Sequence, residues 1–377
     1  MKSGQDYRAS LADGRSVYLN GAKVEHFEDL KAFAAPISEV AATYDQQGRG
    51  ELRVNLDPPR SVEDLRTGAA LASQVDGLLA LTIDALRTLH TAQMRLGGAE
   101  YEHSAAIAAF VKEAVSSNLR IAQCITDAKG DRALPPKRQP DPDAFLRVVD
   151  RRDDGVVIRG AKLHVTGAAM SHALLVMPTK AMKVGEEDYA IACAVDVASP
   201  GVHIIDSSHI PLTDDDRHYP WSRTRSMPTS TVIFDDVFVA HDRIFLDGQT
   251  ADAAIFAHSL GLWLRANGTA VMADSADLLV GMATLMAEEN GTSKVPHVRD
   301  KIAEMIVHAT SVRAGLEAAL ANPSLELDGA VAPDELYTNV AKYQAVISSK
   351  DFLTRPSGPC CSSERCSCCR WPVCSAS

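Results

Sequence analysis

Two stretches of the chain concentrate side chains that do chemistry. TDAKGDRALPPKRQPDPD, from Thr126 to Asp143, holds four prolines, four aspartates and four Lys or Arg in eighteen residues. Charge and proline together suit a solvated connection. They also suit a rigid loop in which Arg132 or backbone N–H groups meet an anionic cofactor, because an arginine fork matches phosphate geometry better than a lysine does. A little further on, Thr166 in RGAKLHVTGAAMSHALLVMP either caps a turn or hydrogen-bonds a heterocycle at a sheet edge. The second stretch is the end of the chain, where six of the eight cysteines fall between Cys360 and Cys374. Their spacing, C-C-x₄-C-x-C-C-x₄-C, supplies thiols but lacks the paired C-x₂-C knuckles of structural zinc sites.

The elements that position these residues follow from periodicity. In AAIAAFVKEAVSSNLRI the positions Ile107, Phe110, Val111, Ala114, Val115 and Leu119 recur every three or four residues, which predicts an amphipathic helix. FLRVV and GVVIRG flank the charged turn Asp150 to Asp154 and predict a hairpin. ALLVMP, YAIACAVDV, VHIID and STVIFDDVFV read as further short strands of an antiparallel sheet or barrel. Helical patterning returns from Ala251. VRDKIAEMIVHATSVRAGLEAAL places Ile302, Met305, Ile306, Ala309, Val312 and Leu316 on one side, and a further helix is predicted from Pro333 to about Lys350. Helices, then strands, then helices make an α+β layout rather than alternating βαβ units. No G-x-G-x-x-G follows a strand and no P-loop motif is present, so a dinucleotide fingerprint or phosphate cradle of those kinds has no local basis.

Composition narrows the class. The 377 residues are 46% apolar and carry a formal charge of −11, which argues against a general nucleic-acid binder. The start, MKSGQDYRASLADGR, has no apolar leader, and no window reads as an uninterrupted apolar span. Only Cys124 and Cys193 precede residue 360, a usage that suits a reducing cytoplasm. The expectation is a cytoplasmic protein with no nucleic-acid or membrane partner.

The segment from Thr126 to Thr179, together with VIFDDVFVAHDRIFLDG and the opening GQDYRASLADGRSVYLNGAKVE, resembles the 4-hydroxyphenylacetate 3-hydroxylase family, from about Gly4 to about Lys350. That family also contains the 4-hydroxybutyryl-CoA dehydratases. The resemblance implies an acyl-CoA-dehydrogenase-like fold: an N-terminal helical domain (1–143), a central antiparallel β-barrel (144–250) and a C-terminal helical bundle, incomplete here (251–352). It implies FAD, reached by Lys129, Gly130, Asp131, Arg132 and Thr166, and a homotetramer.

The two branches of the family require different side chains. The dehydratases use three cysteines and a histidine to hold an iron–sulfur cluster, since soft thiolates suit iron. At the matching positions in this chain stand Asp76, Ala80, Leu264 and Val271, so no metal site is expected. The monooxygenases use an Arg, a Tyr and a His around a phenol. Here the matching residues are Leu81, Ala85 and Gln123, and the nearest titratable alternatives are His90 and Tyr101, residue types that on a helix more often serve packing. The favoured reading is the oxygenase component of a two-component system. In it, a separate NAD(P)H-dependent reductase supplies reduced FAD, and a phenol is hydroxylated through a flavin C4a-hydroperoxide, with Gln123 and Arg132 in the catalytic positions. The alternatives are a flavin-dependent acyl-CoA dehydratase or isomerase without a cluster, and a scaffold without catalysis. Family members continue through further helices after the position of Lys350. The cysteine-rich residues 353–377 therefore read as an aberrant, disordered and functionally irrelevant end.

Overall fold

The computed structural model describes residues 2–128, 130–207, 215, 217–218 and 227–354. Lys129 and the cysteine-rich end lie outside the described residues, and with them the expectations placed there. The chain divides into two compact units. One is built from Met1–Pro58, Val75–Gly261 and Glu326–Ala330, the other from Pro59–Gln74, Leu262–Leu325 and the described part of Val331–Ser377.

The first unit opens with helix α1 (Gly4–Ser10), closed at its N-terminus by a capping box between Ser3 and Asp6. Strands β1 (Ser16–Leu19) and β2 (Ala22–Val24) and helix α2 (Lys31–Gly48) follow. Helix α3 (Val62–Leu71) belongs to the second unit. The chain then returns with α4 (Gly77–Arg95) and α5 (Ser104–Ser116). In α5 the predicted stripe buries Ile107, Phe110 and Ala114, while Val115 at its edge is exposed. Next come β3 (Ile121–Cys124), β4 (Thr126–Asp127), β5 (Arg147–Arg152), β6 (Gly155–Thr166), β7 (Ala173–Val176), β8 (Ile191–Asp196), β9 (Val202–Asp206), β10 (Thr229–Ala240) and β11 (Ile244–Asp247).

Among the described residues these strands do not close into the central antiparallel barrel that the family resemblance implied. They form two open sheets, one of seven strands in the order β2-β1-β9-β10-β6-β4 with β5 also on β6, and one of four in the order β11-β8-β7-β3. Neither is purely antiparallel, because β1 runs parallel to β9 and β3 parallel to β7. Alternation decides only which face of a strand is buried. Closure also requires the first and last strands to pair, and two open sheets bury the same inner faces without it. One contiguous core draws on both sheets, with Val156, Ile158, Val232 and Phe234 from the larger and Cys124, Leu174, Ile191 and Cys193 from the smaller. Cys124 and Cys193 are unbridged there, and burial pushes the Cys124 thiol up to about 12 and the Cys193 thiol higher still.

The β5–β6 hairpin forms where it was predicted, with Arg152 opposite Gly155. Along β10, Ser230, Val232 and Phe234 face inward, and a register shift between Phe234 and Val237 then turns Val237 and Val239 inward as well. Asp236 takes a positive φ of 54° at this bulge, and Arg159 fastens it by an ion pair.

The second unit consists mainly of helices α6 (Ala253–Glu289, which starts in the first unit), α7 (Pro296–Ala321) and α8 (Glu335–Thr354). The short strands β12 (Ser324–Leu325) and β13 (Val331–Ala332) pair between α7 and α8. Leu65 and Ala69 of α3 share a core with Leu262, Trp263 and Ala270 of α6 and Leu316 and Leu320 of α7. Of the stripe predicted on α7, Met305, Ala309, Val312 and Leu316 are buried and Ile306 is exposed. An 18-residue window of α6 has a mean hydropathy of 1.4, long and apolar enough by length and composition alone to cross a membrane. The helix nevertheless contributes Leu262, Trp263, Ala266, Ala270 and Ala273 to buried positions.

Candidate functional site

The Thr126–Asp143 loop is braced at its base and across its middle. Asp127, buried, accepts a hydrogen bond from the Leu146 backbone N–H at 3.0 Å, which ties the two ends of the loop together. The same carboxylate pairs at 2.7 Å with Lys162 of β6, also buried. Lys162 Nζ further donates to the carbonyls of Ile125 and Met177 at 2.9 Å, so each of its protons has an acceptor. Across the middle, the buried Gln139 amide accepts from Asp131 N–H at 2.8 Å and donates to the Asp131 and Leu134 carbonyls at 2.8 and 3.0 Å. Gly130 is required here: its φ is +41°, and a Cβ would stand 2.2 Å from Gln139 Oε1. The loop therefore holds Gly130, Asp131 and Arg132 exposed at its tip, and among the described residues the Arg132 guanidinium has no hydrogen-bond or ion-pair partner. Gln139, the residue that orders this platform, was not singled out by sequence, since a glutamine in a polar run carries no sign of burial.

Thr166 ends β6, half-buried and in register with Thr229 of β10. The next residue, Gly167, has a φ of +71°, and a Cβ there would lie 2.9 Å from the Leu78 side chain of α4. One turn further along α4, the Leu81 carbonyl accepts from Gln123 Nε2 at 2.8 Å. Thr82 Oγ1 accepts from the Ile121 backbone N–H, also at 2.8 Å, and fixes β3 against the helix. The first turns of α4 thus gather Gln123 and the Thr166–Gly167 end of β6. Leu81 and Ala85 are one turn apart on the same helix. Gln123 is 7% exposed, and among the described residues its Oε1 has no hydrogen-bond partner. Because Nε2 is committed to the Leu81 carbonyl, the atom left over is an acceptor.

Asp76 caps α4, accepting from Leu78 and Leu79 N–H at 2.9 and 2.8 Å. Its other oxygen lies 4.0 Å from Arg120, a fully buried guanidinium that stacks on Tyr44 with 3.9 Å to the ring centroid. The Arg120 backbone N–H donates to His172 Nδ1 at 2.9 Å. Burial and then the cations Lys2, Arg15 and Arg120 press the His172 pKa down to about 3, so the imidazole is neutral. This network was missed in the sequence, although Asp before an apolar helical run is an N-cap signal.

His90 and Tyr101 have structural partners. The Tyr101 hydroxyl donates to the Phe245 carbonyl at 2.7 Å. His90 sits between two carboxylates, Nδ1 at 3.0 Å from Glu326 and Nε2 at 3.1 Å from Asp328. Burial works against its charged form, but the hydrogen bonds to Glu326 and Asp328 outweigh it and hold its pKa above the ordinary value. These three side chains bring donor atoms within 4.8 Å of one another. Each ring nitrogen, however, faces its own carboxylate, which is the geometry of a hydrogen-bonded imidazolium rather than of one ion shared by three ligands.

The chain matches the family model described as 4-hydroxyphenylacetate 3-hydroxylase N terminal over residues 3–246, and the one described as 4-hydroxyphenylacetate 3-hydroxylase C terminal over 253–350. It is 34% identical over 200 residues to the 4-hydroxybutyryl-CoA dehydratase/vinylacetyl-CoA-Delta-isomerase of Clostridium aminobutyricum, an alignment covering 52% of this chain and 41% of that relative. It is 26% identical over 373 residues to the 4-hydroxyphenylacetate 3-monooxygenase oxygenase component of Thermus thermophilus, covering 91% of this chain and 77% of the relative. Among solved structures, an archaeal 4-hydroxybutyryl-CoA dehydratase from N. maritimus superimposes with a TM-score of 0.84 at 27% identity, covering 95% of this chain and 76% of that one. The oxygenase component of 4-hydroxyphenylacetate 3-monooxygenase, complexed with FAD and 4-hydroxyphenylacetate, shares the fold with a TM-score of 0.85 at 24% identity, covering 96% and 80%. With both halves of the chain matched, it belongs to the 4-hydroxyphenylacetate 3-hydroxylase family.

Proposed function

We propose that the protein is the oxygenase component of a two-component flavin-dependent monooxygenase that hydroxylates a phenolic substrate. The observation that carries this reading is the family match across both the loop-and-sheet half and the helical half of the chain. The residues present fit a flavin and a phenol. The cradle at Gly130 presents backbone and an unpaired Arg132 guanidinium to an anionic group, and Gln123 leaves one buried acceptor for a hydroxyl donor. Bound reduced FAD supplies the activation of oxygen. Lys129, Gly130, Asp131 and Arg132 would hold the cofactor from the loop, with the Thr166 hydroxyl at the end of β6. Gln123 would orient the substrate by accepting its hydroxyl proton in a hydrogen bond, and Leu81 and Ala85 would exclude water from the ring's surroundings.

The same proposal includes a separate NAD(P)H-dependent flavin reductase, a cytoplasmic location, a homotetramer, and a three-part organisation at 1–143, 144–250 and 251–352. Apolar side chains exposed on the helical unit, among them Leu285, Val307 and Tyr343, support association between copies. A second reading, acyl-CoA dehydration or isomerisation, draws on the 34% identity to the Clostridium dehydratase. Against it, Asp76, at one expected cluster position, is occupied in capping α4.

The experiment supplies FAD, NADH, oxygen and a flavin reductase, and screens phenols and short acyl-CoA esters by mass spectrometry. A phenol product heavier by one oxygen atom, lost in Arg132→Ala, is the expected result. Hydrogen peroxide without any product overturns the hydroxylase reading, and an acyl-CoA product lighter by one water establishes the second.

A further inference from the structure

We propose that the groove between α4 and α5 is a second ligand site, and that it takes an uncharged, elongated aliphatic molecule ending in a hydroxyl. Ile107, Val111 and Val115 line it from α5 at spacings of four, an aliphatic rail about 12 Å long. Leu86 lines it from α4 and Leu56 closes a third side, around a space of about 490 Å³. That volume lies within the range of small-molecule sites, roughly 300–1,000 Å³. A second space of about 550 Å³ shares Leu56, Val115 and Ser116 with the first, so the groove continues past the end of α5. Continuation along one helix suits a chain rather than a compact ring system. No residue of either lining belongs to the Thr126–Asp143 loop, and neither Gln123 nor Thr166 is among them. The site is therefore independent of the flavin reading.

The chemistry of the ligand follows from the lining. The walls are predominantly aliphatic, so the body of the ligand is apolar and gains by leaving water. His90 is already held between Glu326 and Asp328, and Arg87 has an interaction of its own. Neither offers a bare cation to an anionic head group. Lys112 and Asp57 are exposed and of opposite sign, as are Lys2 and Asp6 in the second space. An ionic head group drawn between the helices would lose its hydration with no uncompensated counter-charge to replace it. The polar group that remains is the Gln93 amide, half-buried and, among the described residues, without a hydrogen-bond partner. An amide both donates and accepts, and so does a hydroxyl.

Calorimetric titration of the full chain with decanol tests the site, alongside octanol, sodium decanoate and decylammonium chloride. The expected result is saturable one-to-one binding of decanol, about tenfold tighter than octanol because two further methylenes leave water. Both charged probes should bind at least about tenfold more weakly than decanol. Gln93→Leu should weaken decanol binding by about fivefold through the lost hydrogen bond. Val111→Trp should abolish it, because an indole fills the groove. Both positions are half-buried, and circular dichroism checks that each variant folds. The comparisons of length and charge use the unaltered protein, so they decide the proposal whatever the variants do. No saturable binding of decanol, no gain over octanol, a charged probe that binds as tightly, or unchanged affinity in either folded variant each overturns it.

Discussion

The sheet-bearing unit and the helical unit satisfy their apolar side chains differently. In the first, Val232, Phe234 and Val237 of β10 are completely buried in a core drawn from two sheets. In the second, Leu285 is 62% exposed, Val307 65% and Tyr343 66%. Both sequences are amphipathic, so composition does not separate them. A sheet covered on its inner face finishes its burial within one chain, whereas an amphipathic helix needs a neighbour on every apolar stripe that it carries. The Thr126–Asp143 loop, to which we assign the cofactor, springs from the sheet-bearing unit, where a packed core favours a rigid platform.

The sharpest way to break this comparison is to excavate each unit. Phe234→Ala should destabilise the sheet unit by about 3–5 kcal/mol, whereas Val307→Ala should stay within about 0.5 kcal/mol. Urea unfolding followed by circular dichroism, with each transition fitted separately, measures both. Similar losses at the two sites would show that the helical unit is as well packed as the sheets.

Nearly as large an effect is expected at the base of the loop. Asp127→Ala leaves the Lys162 ammonium buried without its carboxylate, a change that typically costs about 3–5 kcal/mol. Replacing both partners, Asp127→Leu with Lys162→Met, removes the uncompensated charge and should recover much of that loss. The double variant still lacks the Asp127 bond to the Leu146 N–H, so it should lose FAD affinity even where stability returns. Unchanged FAD binding in the double variant would separate the loop's bracing from its proposed function.

A smaller effect separates association from folding. Leu285→Glu together with Val307→Glu should shift sedimentation toward smaller species while leaving helix content unchanged, because both side chains are exposed in the single chain. An unaltered sedimentation profile would remove these residues from any contact between copies.

How much was legible in the sequence follows from the same contrast. The α5 stripe through Ile107 and Phe110, the β5–β6 hairpin and the long helices of the second unit were readable, because local periodicity determines them. Pairings between distant strands were not. SVYL at residues 16–19 becomes a parallel neighbour of Val202–Asp206, and nothing local in either stretch announces it. That pairing, with β3 parallel to β7, makes both sheets mixed where the family resemblance had implied an antiparallel barrel. For the proposed site, Lys129 to Arg132 and Thr166 rest on the resemblance alone, and Lys129 lies outside the described residues. The buried Gln139 staple, the Asp127–Lys162 pair and the free acceptor on Gln123 depend on burial and partners that a sequence does not display.

The least drastic test concerns two histidines of the sheet-bearing unit whose pKa values are shifted in opposite directions. His90 has its pKa raised by Glu326 and Asp328, so its contribution is fully present below the unfolded value near 6.5 and fades as pH rises through the higher folded value. His172 has its pKa lowered to about 3, so the folded state refuses a proton that the unfolded chain accepts. Its neutral form favours folding above pH 6.5, and stability drains away as pH falls from there towards 3, by at most about 1.4 kcal/mol per pH unit. His172→Gln should therefore flatten the acid limb of the stability profile between pH 6 and 4, whatever fixed amount it costs through the lost bonds to Arg120 and Ser10. His90→Gln should flatten the profile on the alkaline side of pH 6.5 and leave the acid limb as it was. Slopes, unlike absolute stabilities, count protons and not packing, so urea midpoints across pH 4–8 isolate each histidine. A parallel offset without a change of slope in either variant would show that its neighbours do not shift its titration in the folded state.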